Sequence, residues 1–507
     1  MKKRVILLLV LCLMISLLAL GCTQTPAGPN DGGQTPGKLP KYVFLFIGDG
    51  MSYPQIQVTN YYLTIQNNGN KYPALLESKN NLSFMDFPVV GSAQTYDSSS
   101  FAPDSSSTAT SIATGNKTYS GRLNVGIDGF AKFETIAEKL KEQKDYKIGI
   151  VTSVNVNHAT PGAFYAHQIS RSEYHKIGKE LVESGFDYFA GGAFRSPQNA
   201  AGKEDLYELA AAAGYKVVKT QAEADALKPA DGKVIVISEH LVAQDMDFVD
   251  AMDYEIDREE GEWALADYVA KGIEMLDNDN GFFMMVEGGK IDWACHANDA
   301  ATAVNEVLAL DNAVKEALKF YNEHPDDTLI IVTGDHETGG FTLGYAGTDY
   351  DTFLNNLASQ QISYATFNSD YVAKYRENNT DLATVLADVK ELFGLEVPAN
   401  FGMAKDGSLE LTEYEYNLLV AAYEQTMQFG PDMNSNDEQE LKYDKYEPLT
   451  VTITHILANK CGLNFSSYVH TGLPTAVFAI GAGSELFDGY YDNTDIFFKM
   501  AELTNVK

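Results

Sequence analysis

Short, unbroken apolar runs punctuate the chain at Tyr42–Ile47, Lys147–Thr152, Val234–Ser238, Phe282–Val286, Thr328–Thr333 and Thr475–Ile480. None alternates apolar with polar as a strand with one wet face would, so each predicts a strand covered on both sides, as in a parallel sheet. Between them, helical patterns run over Lys132–Gln143, Ser172–Glu183, Glu260–Asp277 and Ala300–Asn322. Strand and helix taking turns in this way predict an α/β fold: a large doubly wound, mostly parallel sheet with helices on both faces. From Phe341 to Leu449 the pattern changes, and helix formers dominate at Asp370–Glu377, Asp381–Phe393 and Thr412–Gln428. This stretch, 341–449, reads as a helical insertion that decorates the sheet, inside a domain of residues 41–507. No internal repeat is evident.

The first residues follow a different rule. Lys2, Lys3 and Arg4 precede the run Val5–Leu20, apolar apart from Cys12 and Ser16, and Gly21 supplies a small residue before Cys22. Residues 1–21 therefore read as an export signal, with a retained membrane helix as the alternative. Leu18-Ala-Leu-Gly-Cys22 resembles a bacterial lipoprotein signal, with Ala19 where leucine is usual, and the resemblance implies lipidation of Cys22. Plain secretion is the competing expectation. Residues 22–40, rich in Gly, Pro, Thr, Gln and Asn, have little to bury and read as a flexible tether. The protein is thus expected to be exported and lipid-anchored to the cell envelope, periplasmic or at the cell surface.

Composition narrows the partners. Of 507 residues 45% are apolar, with 26 Phe and 29 Tyr, which excludes a disordered chain. The 37 basic against 70 acidic residues give a net charge of −33 and exclude a generic nucleic-acid binder, which needs a basic face. An anionic substrate would have to be drawn in by a local positive centre, a metal or a few arginines. With four cysteines the chain is no disulfide scaffold, and Cys295 and Cys461 could pair only if the fold brings them together.

Chemistry in doubly wound sheets gathers beyond the carboxyl ends of the strands. Gly48-Asp49-Gly50, Glu287-Gly288-Gly289 and Gly334-Asp335-His336-Glu337 each follow a predicted strand. One such carboxylate reads as a helix cap or turn residue. Three, with histidines beside them, point to a metal site. Asp292 and His296 stand at i and i+4, on one helix face, and their oxygen and nitrogen donors suit zinc. The stretch Pro103-Asp104-Ser105-Ser106-Ser107-Thr108-Ala109-Thr110 is built of small residues, either an ordinary Ser/Thr-rich loop or a place where substrate and metal come close. No Gly-x-Ser-x-Gly elbow occurs, so a serine–histidine triad is not indicated; a serine without a histidine partner can still be activated by a metal ion that lowers the pKa of its hydroxyl.

Taken together these motifs resemble the metal-dependent alkaline phosphatases, from Tyr42 to about Gly483. They are Ile47-Gly-Asp-Gly-Met51, Asp104-Ser-Ser-Ser-Thr-Ala-Thr110, Asn157-His-Ala-Thr-Pro161, His167-Gln-Ile-Ser-Arg171, Glu287-Gly-Gly-Lys-Ile-Asp-Trp-Ala-Cys-His296, Thr333-Gly-Asp-His-Glu-Thr-Gly-Gly340 and His470-Thr-Gly472. The resemblance implies hydrolysis of phosphate monoesters through a phosphoserine at Ser105. It implies two zinc ions, one held by Asp292, His296 and His470 and the other by Asp49, Asp335 and His336. It implies one magnesium ion held by Asp49, Thr160 and Glu287, and Arg171 clamping phosphate with Asp104 orienting it. It also suggests a homodimer.

Some members of the family carry aspartate and lysine where this chain has His158 and Trp293, near the substrate; others share the histidine and tryptophan. His158 is expected to stand behind the magnesium site, with recruitment of a third zinc as the alternative. His167 reads as a packing or hydrogen-bonding residue. His175, His240, His324 and His455 have no carboxylate at ligand spacing and read as surface or core residues. Two rival functions remain: a phosphodiesterase or sulfatase on the same scaffold, and a phosphate-capturing protein with a dead site.

Overall fold

The computed structural model describes residues 39–69, 79–242, 250–402, 407–429 and 436–507. The export signal, Cys22 and the tether up to Lys38 lie outside the described residues.

The predicted strands form as β1 (Tyr42–Gly48), β3 (Lys147–Asn155), β6 (Val234–Ile237), β7 (Phe282–Gly288), β8 (Thr328–Gly334) and a strand over Thr475–Gly481. Four more join them: β2 (Val89–Gln94), β4 (Tyr188–Gly192), β5 (Lys216–Val218) and Gly489–Asp492. All ten make one sheet, in the order Gly489–Asp492, β2, Thr475–Gly481, β8, β1, β7, β3, β4, β6, β5. The centre is parallel, as the unbroken apolar runs predicted. Thr475–Gly481 departs from that expectation, running antiparallel to both β2 and β8. An antiparallel strand buried on both faces has the same apolar run as a parallel one, so sequence alone does not tell its direction.

Burial on both faces follows from the two-residue period of a strand. In β1, Tyr42, Phe44 and Phe46 enter one core with Phe282, Met284 and Phe320. Val43, Leu45 and Ile47 enter the opposite core with Ile112, Ile148, Ile150 and Ile331. Each such side chain contributes about 1.5–3 kcal/mol by leaving water, so β1 is held from both sides. A third core, with Phe341, Leu354, Phe367, Phe393, Leu449 and Ile453, packs the segment after β8 against Val58 and Ile65 of helix Tyr53–Asn67 and Val304 of helix Ala300–Glu323.

Most helices begin where their caps dictate. The pattern starting at Lys132 becomes a helix only at Ile136, because Thr135 caps it in a reciprocal pair with Glu138. Between Phe341 and Leu449 the helices include Ala373–Asn378, Leu382–Phe393, Glu413–Phe429 and Asp437–Tyr443. Pro448–Lys460 follows, with proline in its first turn. Among the described residues no helix is long and apolar enough to cross a membrane.

The register of the central strands decides where the chemistry sits. Gly48 of β1 pairs with Gly288 of β7 and with Gly334 of β8, and Glu287 pairs with Thr152 of β3. Three strands therefore end at one level, and the carboxylates beside those glycines meet at one edge. Gly334 is required for close approach: a Cβ there would lie 1.8 Å from the carbonyl oxygen of Met51, in the loop that follows β1.

Candidate active site

Ser105 opens the helix Ser105–Thr114, and Asp104 caps it by accepting from Ser107 N at 3.1 Å. Every residue of this helix is buried, which its many hydroxyls would forbid without partners. The helix supplies them: Thr110, Ser111 and Thr114 each donate to the carbonyl four residues back, at 2.7, 3.0 and 2.8 Å. The stretch is thus a buried helix and not a loop, and small side chains let it press against the sheet edge. Its N-terminus, where unpaired amides and the helix dipole favour an anion, presents Ser105.

The Ser105 hydroxyl lies 3.2 Å from His336 Nε2 and 3.4 Å from Asp49 Oδ1. His336 Nε2 is itself 3.2 Å from Asp49 Oδ1. Asp335 is occupied by the protein: Oδ1 accepts from Gly50 N at 3.2 Å and His336 N at 2.9 Å, and Oδ2 from Thr108 Oγ1 at 3.0 Å. Oδ2 of Asp335 also stands 3.5 Å from His336 Nε2. One donor cluster here is Asp49, Asp292 and His336, whose ligand atoms lie within 4.8 Å of one another. Asp292 thereby adjoins both groups.

The second cluster is Asp292, His296 and His470. Helix Lys290–His296 places Asp292 and His296 one turn apart, with Asp292 Oδ2 3.3 Å from His296 Nε2. His470 arrives from a distant segment, because His470–Thr471 pairs antiparallel with Glu337–Thr338. His296 Nδ1 faces the carbonyl of Tyr468 and His470 Nδ1 that of Pro103, each at 2.5 Å. Backbone acceptors hold the protons on Nδ1 and leave both Nε2 lone pairs turned inward. Those two Nε2 atoms are 3.1 Å apart. Two lone pairs at that distance repel unless a cation or proton lies between them.

Around Glu287, one oxygen accepts from Thr152 and the other, Oε1, is buried with no hydrogen-bond partner among the described residues. Thr160 Oγ1 stands 3.4 Å from Asp49 Oδ2. Burial pushes the Glu287 carboxyl up to about 8 and Asp335 up to about 7, with nearby acids adding to it. Asp49 is raised well above the carboxylate range by burial and by Asp335, Asp292 and Glu287. Asp292 goes the other way: burial would raise it, but His296, His470 and His336 hold it well below. Burial lowers His336 to about 4 and His470 to about 3. Four buried acids, three inward imidazoles and an orphaned carboxylate oxygen fit divalent cations and little else.

Arg171 donates to Asp104 Oδ2 at 2.9 Å. Burial would raise the Asp104 carboxyl, yet the Arg171 guanidinium and the Ser106 hydroxyl outweigh it and hold it far below its usual range. His158 packs parallel to Tyr174 at 6.4 Å and edge-on to Trp293 at 5.8 Å, and its buried Nδ1 has no hydrogen-bond partner among the described residues. His158 belongs to none of the clustered ligand groups among the described residues, and Trp293 is fully buried.

Sequence reasoning overlooked several helpers. Thr338 donates to Asp292 Oδ1 at 2.5 Å and meets His336 Nδ1 at 3.3 Å, tying one cluster to the other. Glu337 accepts from Gln55, Phe341 N and Thr471, fixing the antiparallel pair that delivers His470. Both lie inside a motif already read for its ligands; their partners, far along the chain, carry no sequence signal. Likewise His175 and His240, expected to be unremarkable, find Glu204 at 3.1 Å and Glu262 at 2.9 Å across long separations. Cys295 and Cys461 are both buried free thiols.

A serine at a helix N-terminus, beside clustered carboxylates and imidazoles at the carboxyl edge of a parallel sheet, defines a metal-dependent hydrolase. Comparison with known proteins then narrows the class. Residues 40–506 match the family model described as alkaline phosphatase, and the chain belongs to that family of phosphoric monoester hydrolases. It is 30% identical over 466 residues to alkaline phosphatase 4 of Bacillus subtilis, covering 89% of this chain and 86% of that one. The cold-active alkaline phosphatase of a psychrophilic Shewanella superposes with a TM-score of 0.72 at 27% identity, covering 91% of this chain and 99% of that one. A mutant alkaline phosphatase from the Antarctic bacterium TAB5, with Mg bound in its M3 site, is 25% identical with a TM-score of 0.61, covering 93% of this chain and 99% of that one.

Proposed function

We propose that this enzyme hydrolyses phosphate monoesters by transferring the phosphoryl group to Ser105 and then to water. The observation that carries the reading is the place of the Ser105 hydroxyl, at a helix N-terminus, within 3.4 Å of Asp49 and His336 and next to the Asp104–Arg171 pair. Phosphoryl transfer asks mainly for positioning and for positive charge around three equatorial oxygens. Arg171, aligned by Asp104, offers a planar fork matching two of them. The helix terminus adds amide donors from below.

Asp292, His296 and His470 would hold one zinc ion, and Asp49, Asp335 and His336 a second. Asp49, Thr160 and Glu287 would hold magnesium, a reading supported by the orphaned Glu287 oxygen and by the TAB5 mutant that has Mg bound in its M3 site. When bound, such cations stabilise charge on the attacking and leaving oxygens of an in-line displacement. The chain's own residues orient Ser105, clamp the phosphoryl group and offset the cation charge, so that a phosphate dianion meets a positive pocket inside a negative molecule. His158 stands behind the magnesium position as a neighbour of Tyr174 and Trp293. An export signal over 1–21, lipidation at Cys22 and a tether to residue 40 would place this body at the cell envelope, with 341–449 as an insertion beside the site.

The test is the rate of hydrolysis of a phosphate monoester, a phosphate diester and a sulfate ester, each with and without chelator. The monoester should be fastest, and chelation should abolish its turnover. Chelator-resistant activity, or preference for the diester or the sulfate, would overturn the proposal.

A further inference from the structure

A second arginine stands beside the loop that carries His158 and Thr160. Arg195 follows β4, and its backbone is tied to the loop after β3 that carries His158 and Thr160. Arg195 N donates to Asn157 Oδ1, and Asn157 Nδ2 donates to Arg195 O, both at 2.8 Å. The side chain lies flat over Tyr174, its guanidinium carbon 4.4 Å from the ring centroid. Tyr174 in turn lies parallel to His158, with 12° between the planes. His158 meets Trp293 edge-on in its turn, so one stack of side chains runs from Arg195 to the helix of Asp292 and His296.

The two arginines differ in how their charge is used. Arg171 is paired with Asp104. Arg195, half-buried, has neither a carboxylate nor a side-chain hydrogen bond among the described residues, in a chain with 70 acids to choose from. A guanidinium is weakly hydrated and stacks well on an aromatic face, so Tyr174 can hold it in place without neutralising it. Its five donors stay free to meet an anion.

Resting on the monoesterase reading of this site, we propose that Arg195 is a second anion-binding group. It receives a carboxylate or phosphate carried by the alcohol part of the substrate. The preferred substrates are then phosphate monoesters whose alcohol bears its own negative charge, and Arg195 sets specificity without touching the transferred phosphoryl group.

The experiment compares kcat/KM of the metal-loaded full chain for phenyl phosphate and for carboxyphenyl phosphate, in wild type, Arg195→Gln and Arg195→Lys. Arg195→Gln should lower the carboxyphenyl value about tenfold more than the phenyl value, the scale of one charge-assisted hydrogen bond. Arg195→Lys should recover part of that ratio, and Tyr174→Leu, which removes the platform, should lower it. High salt should shrink the wild-type preference. Equal loss on both substrates, or no loss on either, would overturn the proposal while leaving the monoesterase reading intact. Failure of the wild type to hydrolyse phenyl phosphate would instead sink the reading on which it rests.

Discussion

At the scale of single residues, the site depends on side chains that touch the candidate ligands as much as on those ligands. Thr338 is the clearest case. Its hydroxyl has one proton, given to Asp292, and its lone pairs are free to accept from His336 Nδ1, which leaves the His336 Nε2 lone pair toward Ser105 and Asp49. Thr338→Val keeps the shape and removes both bonds. We expect it to weaken metal retention about tenfold with the fold intact, read by competitive chelation followed by metal analysis. Metal retention equal to wild type would show the hydroxyl to be incidental. The candidate ligands were legible because three predicted strands each end in a carboxylate beside glycine, and because the motifs around them resemble one family when taken together. Thr338, Glu337 and Arg195 were not, since their meaning lies in contacts across the fold that no local pattern encodes.

At the scale of elements, apolar runs revealed the central strands because burial on both faces leaves little room for polar residues. β2, with its Gly-Ser-Ala-Gln ending and partly exposed pattern, escaped for the opposite reason, and β5 is only three residues long. The helix Ser105–Thr114 was ambiguous because it has no amphipathic stripe; it is polar by composition and buried by hydrogen bonding. Helix Pro448–Lys460 hides a further consequence. It carries His455, whose Nε2 lies 2.8 Å from Asn298 Oδ1, and burial pushes that imidazole down to about 4. The unfolded chain therefore binds a proton first as pH falls. The stability this neutral histidine contributes is complete above about 6.5 and is lost as pH drops through about 4. His455→Gln should flatten the fall of Tm between pH 6.5 and pH 4 relative to wild type. Parallel Tm curves for the two proteins would contradict the assignment.

At the scale of the whole molecule, a net charge of −33 coexists with a site for an anion. The resolution is local: Asp49, Glu287, Asp292 and Asp335 are buried where cations would offset their charge, and Arg171, held by Asp104, stands beside Ser105. The sheet is what makes this possible, because in-register strand ends deliver the carboxylates to one edge while three cores hold them rigid. The central claim is that Ser105 carries the phosphoryl group. The most direct measurement mixes metal-loaded enzyme with a phosphate monoester, quenches in acid within one turnover and maps phosphopeptides by mass spectrometry. The account predicts phosphate on Ser105 in the wild type and none in Ser105→Ala. Phosphate on another residue, or undiminished turnover by Ser105→Ala, would contradict it.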